Sequence, residues 1–312
     1  MLSPETLAAR KGRITSSVAA GCLGYDEDCS PTMAQQKIFG HDDFKGNKAT
    51  ERGDELEDPV LNWCTREVGG VLERVPFVIH PDHDFLGDSA DGLLRSDQST
   101  YALEAKTVAM GRADRWGEPG TDQVPDKVLI QCMMHLIHWP EASRCAVPIL
   151  IGGYEFEFRL YWVNRDLSLE KTLIDRLHSW HAKHIIGGEQ PEPTAKDERW
   201  LQDRYPVATK PALDDPALLP DVEKWAREYK ETSALLKVAE TQKKLAAVHL
   251  RGLLEEHSEA RGDGWSVTYR NSKDRTRTNW QAVAEAMGPP DDLIQKHTTV
   301  APGARSLRVT VR

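Results

Sequence analysis

Apolar and polar positions recur along this chain with two periods, and blocks of one period interleave with blocks of the other. Leu72–Ile79, Phe85–Leu94 (with a turn at Asp88) and Tyr101–Val108 are rich in β-branched and aromatic residues that alternate with polar ones. That period of two predicts half-buried strands. Arg144–Ile151 and Tyr154–Val163 repeat the pattern on either side of Gly152-Gly153, which predicts a hairpin. Helical spacing marks Thr15 to about Leu23 before Gly24, Ala49–Val68, Asp126–His138 before Pro140, and Leu169 to about Ile186 before Gly187-Gly188. Residues 1–190 thus predict one mixed α/β unit, a central mixed sheet flanked by helices.

Beyond residue 190 the pattern changes. Pro191, Pro193, Pro206, Pro211, Pro216 and Pro220 predict an extended connector over residues 191–220. Asp221–Ala260 has helical spacing and, at ~1.5 Å per residue, would span about 60 Å as one helix. Its stripe of Val222, Trp225, Tyr229, Leu236, Leu250 and Leu253 weakens at Thr232 and Lys243, so a single rod and a two-helix hairpin both fit. The tail alternates over Trp265–Tyr269, returns to helical spacing over Trp280–Met287 and ends in the strand-like Ser306–Val311. Residues 221–312 therefore predict a helical C-terminal module with a strand-containing tail.

Composition narrows the function classes. No apolar run approaches the roughly 20 residues of a membrane span, and the first residues lack the apolar core of a secretory signal, so a cytoplasmic protein with no membrane partner is expected. The five cysteines are scattered without a CxxC pair, which predicts free thiols rather than a disulfide framework or a zinc site. A net charge of −9 runs against nucleic-acid binding, which rests on Lys and Arg neutralising phosphates. The sign is uneven, however: from Trp265 onward there are eight Lys or Arg against four Asp or Glu. Within that tail Arg270, Lys273, Arg275 and Arg277 stand among Trp265, Tyr269 and Trp280. They are candidate DNA contacts by phosphate pairing and stacking, and equally a solvated strand edge.

The residues with the most chemical content are Gly87-Asp88-Ser89-Ala90-Asp91-Gly92 followed by Leu103-Glu104-Ala105-Lys106. On a strand, Glu104 and Lys106 project from the same face, and a hairpin would set Asp91 across from them. Phosphodiester hydrolysis needs oxygen ligands for a hard divalent cation and an ammonium near the attacking water. This spacing supplies both. An isolated E-x-K is also what an ordinary cross-strand ion pair looks like, and Asp91-Gly92 alone fits a turn. His135 and His138 could bind a metal, but a helix flank beside Trp139 accounts for them as well.

Asp91 followed by Glu104-x-Lys106 resembles the PD-(D/E)xK nuclease core, with Ala90 in place of Pro. The order of surrounding motifs is similar to the lambda-exonuclease and YqaJ-like phage recombination nucleases: Arg10 four residues before Ile14-Thr15-Ser16-Ser17, Gly53-Asp54-Glu55-Leu56-Glu57, Ser89–Gly92, Glu104-x-Lys106, then Gln131. The resemblance covers about residues 8–188. It implies a restriction-endonuclease-like fold and a metal-dependent exonuclease that digests one strand of linear duplex DNA from a free 5′ end, leaving a 3′ single strand. Asp91, Glu104, the Ala105 carbonyl and Glu57 would bind Mg²⁺, with Mn²⁺ as substitute, and Lys106 would orient or activate the attacking water. Arg10, Ser17, Ser89 and Gln131 would receive a terminal 5′-phosphate; Arg13 is the alternative to Arg10. Val128 stands where lambda-type enzymes carry an aromatic residue. Also implied are a homotrimeric ring around DNA, a single-strand-annealing partner and, for a phage-encoded chain, the host cytoplasm. An endonuclease of the same fold and a catalytically silent DNA-binding or assembly protein are the alternatives.

Overall fold

The structure, a computed structural model, describes residues 4–41, 48–153, 156–272, 276–299, 307 and 309–310. The chain divides into two compact units, Met1–Arg204 and Tyr205–Arg312. In the first, α1 (Pro4–Arg10), β1 (Ile14–Thr15), α2 (Ser16–Cys22), α3 (Pro31–Phe39) and α4 (Lys48–Val68) precede a run of short strands. These are β2 (Val71–Glu73), β3 (Val78–Ile79), β4 (Leu86–Asp88), β5 (Gly92–Arg95), β6 (Thr100–Leu103) and β7 (Lys106–Ala109). The helix α5 (Asp126–His138), the hairpin β8 (Ala142–Gly152) and β9 (Glu157–Asn164), then α6 (Leu167–His181) and α7 (Glu198–Arg204) complete the unit.

The main sheet is mixed. β2, β5 and β6 pair antiparallel in series, β6 and β7 both run parallel to β8, and β9 lies antiparallel to β8. Since β9 occupies one edge of β8, β6 and β7 lie end to end along the other. A smaller sheet orders β1, β4 and β3.

Alternation decides the layering. Leu93 and Ala102 belong to the core with α2 and α5, whereas their neighbours Leu94 and Leu103 pack with Leu61 and Cys64 of α4. Successive side chains point to opposite faces of a strand, so the sheet is covered on both sides. Each fully buried Leu contributes roughly 1.5–3 kcal/mol by leaving water.

Three expectations change. Leu72–Ile79 is two strands in two sheets, β2 against β5 and β3 against β4; Pro76 between them has no N–H to give a ladder. Phe85–Leu94 divides likewise, into β4 and β5. Tyr101–Val108 is interrupted at Glu104-Ala105, so the two halves of the E-x-K motif straddle a break in the strand. The helices α1 and α3 went unforeseen. α3 is set by local chemistry all the same: Ser30 accepts a hydrogen bond from the Met33 N–H at 3.1 Å, Pro31 opens the helix and Gly40 closes it at φ 75°.

The first part of the proline-rich stretch belongs to this unit. Asp197 hydrogen-bonds Ser30, and Lys196 Nζ donates to the Asp26 carbonyl at 2.8 Å. In the second unit the long helix is one rod, α8 (Leu219–Leu254), followed by the antiparallel hairpin β10 (Glu259–Gly262) and β11 (Trp265–Thr268), α9 (Trp280–Met287) and α10 (Asp291–His297). The expected strand Ser306–Val311 falls largely outside the described residues. No helix among the described residues is long and apolar enough to cross a membrane.

Candidate active site

The β5–β6 hairpin does what the alternation requires. Gly92 pairs with Leu103, and the Asp91 N–H donates to the Leu103 carbonyl at 3.2 Å. Asp91 therefore sits beside the break at Glu104-Ala105. There the Ala105 N–H donates to Asp91 Oδ2 at 2.7 Å, and the Glu104 N–H to the Ala146 carbonyl at 3.1 Å. Across the break Lys106 Nζ still pairs with Glu104 Oε1. Thr50, Gly53, Asp54 and Glu57 of α4 form the opposite wall, giving a cleft of about 280 Å³ lined also by Asp91, Glu104, Ala105, Lys106 and Thr107. The cleft thus gathers all five residues expected at the chemistry.

Glu104 is 4% exposed. Burial pushes its carboxyl up, but Lys106 and His135 together outweigh that and hold it below the usual carboxylate range. Asp91 goes the other way: burial and then the Glu104 charge push its carboxyl up to about 7, more than Lys106 and the Ala105 N–H lower it. Burial works against the Lys106 charge, yet Glu104 and Asp91 raise the ammonium above its ordinary value, and its side chain keeps 28% exposure toward the cleft.

Asp91 and Glu104 are hard oxygen donors, and the nearby backbone carbonyl of Ala105 is another. Such a set fits Mg²⁺ or Mn²⁺. Glu57 is the incomplete member. Its Oε1 accepts from Arg74 Nη1 at 2.7 Å, and the same nitrogen donates to the Asp91 carbonyl at 2.6 Å. As arranged, no three His, Cys, Asp or Glu side chains among the described residues form a ready ion site. Glu57 would have to exchange Arg74 for the cation.

Sequence reasoning missed Arg74, and also the layer behind Glu104. His135 Nδ1 lies 2.8 Å from Asp88 Oδ1 and His135 Nε2 lies 2.6 Å from Glu104 Oε2. Trp139 Nε1 donates to Asp88 Oδ2 at 3.0 Å. Asp88 and His135 are both 0% exposed, so His135 is no helix flank. His138 is buried too, with Nδ1 on the Met134 carbonyl at 2.7 Å. The one signal available was Asp88 inside the Gly87–Gly92 run.

The expected phosphate pocket is partly assembled. Arg10 Nη2 donates to Ser17 Oγ at 3.1 Å, and its guanidinium lies 5.9 Å from the Phe77 ring centre. Burial lowers the Arg10 guanidinium from its ordinary value, and the charge of Asp88 partly offsets this. Arg13 spends its guanidinium on the Ala9 and Asp84 carbonyls at 2.8 Å each. Gln131 is buried, with Oε1 lacking a partner among the described residues. No hydrogen bond among those residues ties Ser89 or Gln131 to Arg10.

Residues 5–138 match the family model of the YqaJ-like viral recombinase domain. That span holds every residue of the cleft and the Arg10–Ser17 pair. No curated protein matches the sequence. Among solved structures, an alkaline exonuclease from Laribacter hongkongensis is similar at 21% identity and a TM-score of 0.48, the match covering 58% of this chain and 92% of that one. A phage-related exonuclease from Haemophilus somnus 129PT is similar at 15% identity and a TM-score of 0.40, covering 57% of this chain and 96% of that one.

Arg270 pairs with Glu259 across the β10–β11 hairpin, Arg277 is exposed, and Lys273 and Arg275 lie outside the described residues.

Proposed function

We propose that the chain is a Mg²⁺-dependent exonuclease that degrades one strand of linear duplex DNA from its 5′ end. The observation that carries the reading is the convergence of Asp91, Glu104 and Lys106 in one cleft, with Glu57 on the facing helix. Asp91, Glu104, the Ala105 carbonyl and Glu57 would hold Mg²⁺, or Mn²⁺ in its place, which when bound supplies Lewis-acid stabilisation of charge on the phosphoryl oxygens. The protein's own contribution is positioning. Lys106 holds its ammonium on Glu104 at the cleft, where it can orient a water and donate to a phosphoryl oxygen. Arg10 and Ser17 offer a fork of N–H donors and a hydroxyl to a terminal phosphate, which favours attack from a 5′-phosphorylated end. The product would be a 3′ single strand suited to an annealing protein, and a ring-shaped homotrimer is the assembly that goes with this reading.

Digestion of linear against closed circular duplex, with Mg²⁺ or with EDTA, tests the proposal. Linear DNA should be degraded only with the metal and circles spared. Nicked or linearised circles would favour an endonuclease. Glu104→Ala and Asp91→Ala should abolish digestion while DNA binding persists, because phosphate contacts away from the metal remain. Wild-type turnover by either variant would leave a DNA-binding or assembly role.

A further inference from the structure

Two carboxylates flank one imidazole beneath the cleft. Neither Asp88 nor His135 lines the cleft, yet His135 bridges them with both ring nitrogens, 2.8 Å to Asp88 Oδ1 and 2.6 Å to Glu104 Oε2. Ionised carboxylates only accept hydrogen bonds, and a neutral imidazole has one N–H to give. The bridge is fully satisfied when the ring donates from both nitrogens. Asp88 is itself fixed from two further sides: Trp139 Nε1 donates to its other oxygen at 3.0 Å, and Ser16 hydrogen-bonds it. The ring, so anchored, cannot rotate without breaking buried hydrogen bonds.

The consequence falls on Glu104. With Oε2 held inward by His135, only Oε1 is turned toward Lys106 and the cleft. Asp91 is treated the same way, Oδ2 being held by the Ala105 N–H at 2.7 Å. Asp91 thus has one oxygen held by a backbone N–H, while Glu104 has its inner oxygen on His135 and its outer one on Lys106 at the cleft.

We infer that Asp88 and His135 form a buried positioning relay, in which Asp88 orients the imidazole and the imidazole fixes Glu104 so that a single oxygen faces the metal and substrate. The inference rests on the nuclease reading above and adds two positioning residues to it. Partners of this kind, which orient a ligand without touching the reacting atoms, typically cost about 10- to 100-fold in metal affinity or activity when removed.

Full-length His135→Leu, His135→Gln and Asp88→Asn test it, by calorimetric titration with Mg²⁺ alone and by kcat and KM on linear duplex. In His135→Leu, Mg²⁺ binding and kcat should each fall about 10- to 100-fold, with KM for DNA unchanged, because His135 does not line the cleft. His135→Gln keeps an amide donor for Glu104 and should recover part of both losses. Asp88→Asn, nearly isosteric and remote from the cleft, should share the direction of His135→Leu. Wild-type Mg²⁺ binding and kcat in both His135→Leu and Asp88→Asn would overturn the relay. Loss of the fold in all three variants would also overturn it, making the bridge structural only. Glu104→Gln separates the two levels. Full activity in that variant removes the nuclease reading itself, whereas an inactive Glu104→Gln beside fully active relay variants removes the relay alone.

Discussion

Asp88→Asn should also destabilise the fold in a way that fades in acid. Burial pushes the Asp88 carboxyl up, but His135, through its charge and hydrogen bond, with His138 and Ser16 adding to it, more than reverses this and lowers the group from 3.8 to about 2. A carboxyl lowered on folding contributes stability above its unfolded value and loses it as pH falls through the folded one. At about 1.36 kcal/mol per unit, the shift corresponds to on the order of 2 kcal/mol near neutrality, with roughly half left at pH 3. The amide adds a second penalty. Both Asp88 oxygens receive N–H groups, from His135 and from Trp139, and an Asn side chain must turn its own NH₂ toward one of them, leaving a buried donor unpaired for about 1–3 kcal/mol. That part does not depend on Asp88 ionisation. Urea unfolding of wild type and variant from pH 7 down to pH 3 measures both parts. The gap should be flat from pH 7 to about pH 5 and then narrow, without closing. A gap that stays constant into acid, or widens, would show that Asp88 is not held ionised by its neighbours.

Two further outcomes follow from particular contacts. Arg10→Ala should slow digestion of 5′-phosphorylated ends more than 5′-hydroxyl ends, since Arg10 and Ser17 form the candidate phosphate fork; equal slowing of both would remove that role. Gly92→Ala should lower the urea midpoint, at a cost of about 1–3 kcal/mol of stability, because the added Cβ would lie 2.7 Å from Leu72 Cδ1 and 3.0 Å from the Glu73 carbonyl oxygen. An unchanged midpoint would mean that β2 gives way freely.

Much of this architecture was legible in the order of residues. The boundaries of α5 and the β8–β9 hairpin follow from periodicity, since a strand's alternation states which face each side chain takes, whereas strands read as half-buried lie in a sheet covered on both faces. The E-x-K spacing and Asp91 marked the cleft, because chemistry that needs those groups limits which residues can supply it. Periodicity says nothing about what lies across space. The break at Glu104-Ala105 has no local signature of its own, and appears only with β6 and β7 laid end to end along β8. The role of His135 was equally hidden. Its partners, Asp88 and Glu104, are 47 and 31 residues away in sequence, and an imidazole on a helix has the same local pattern whether it meets water or two carboxylates. Tertiary packing decided that question: α5 lies against the sheet, and a buried polar group must find its hydrogen-bond partners among whatever the fold brings there.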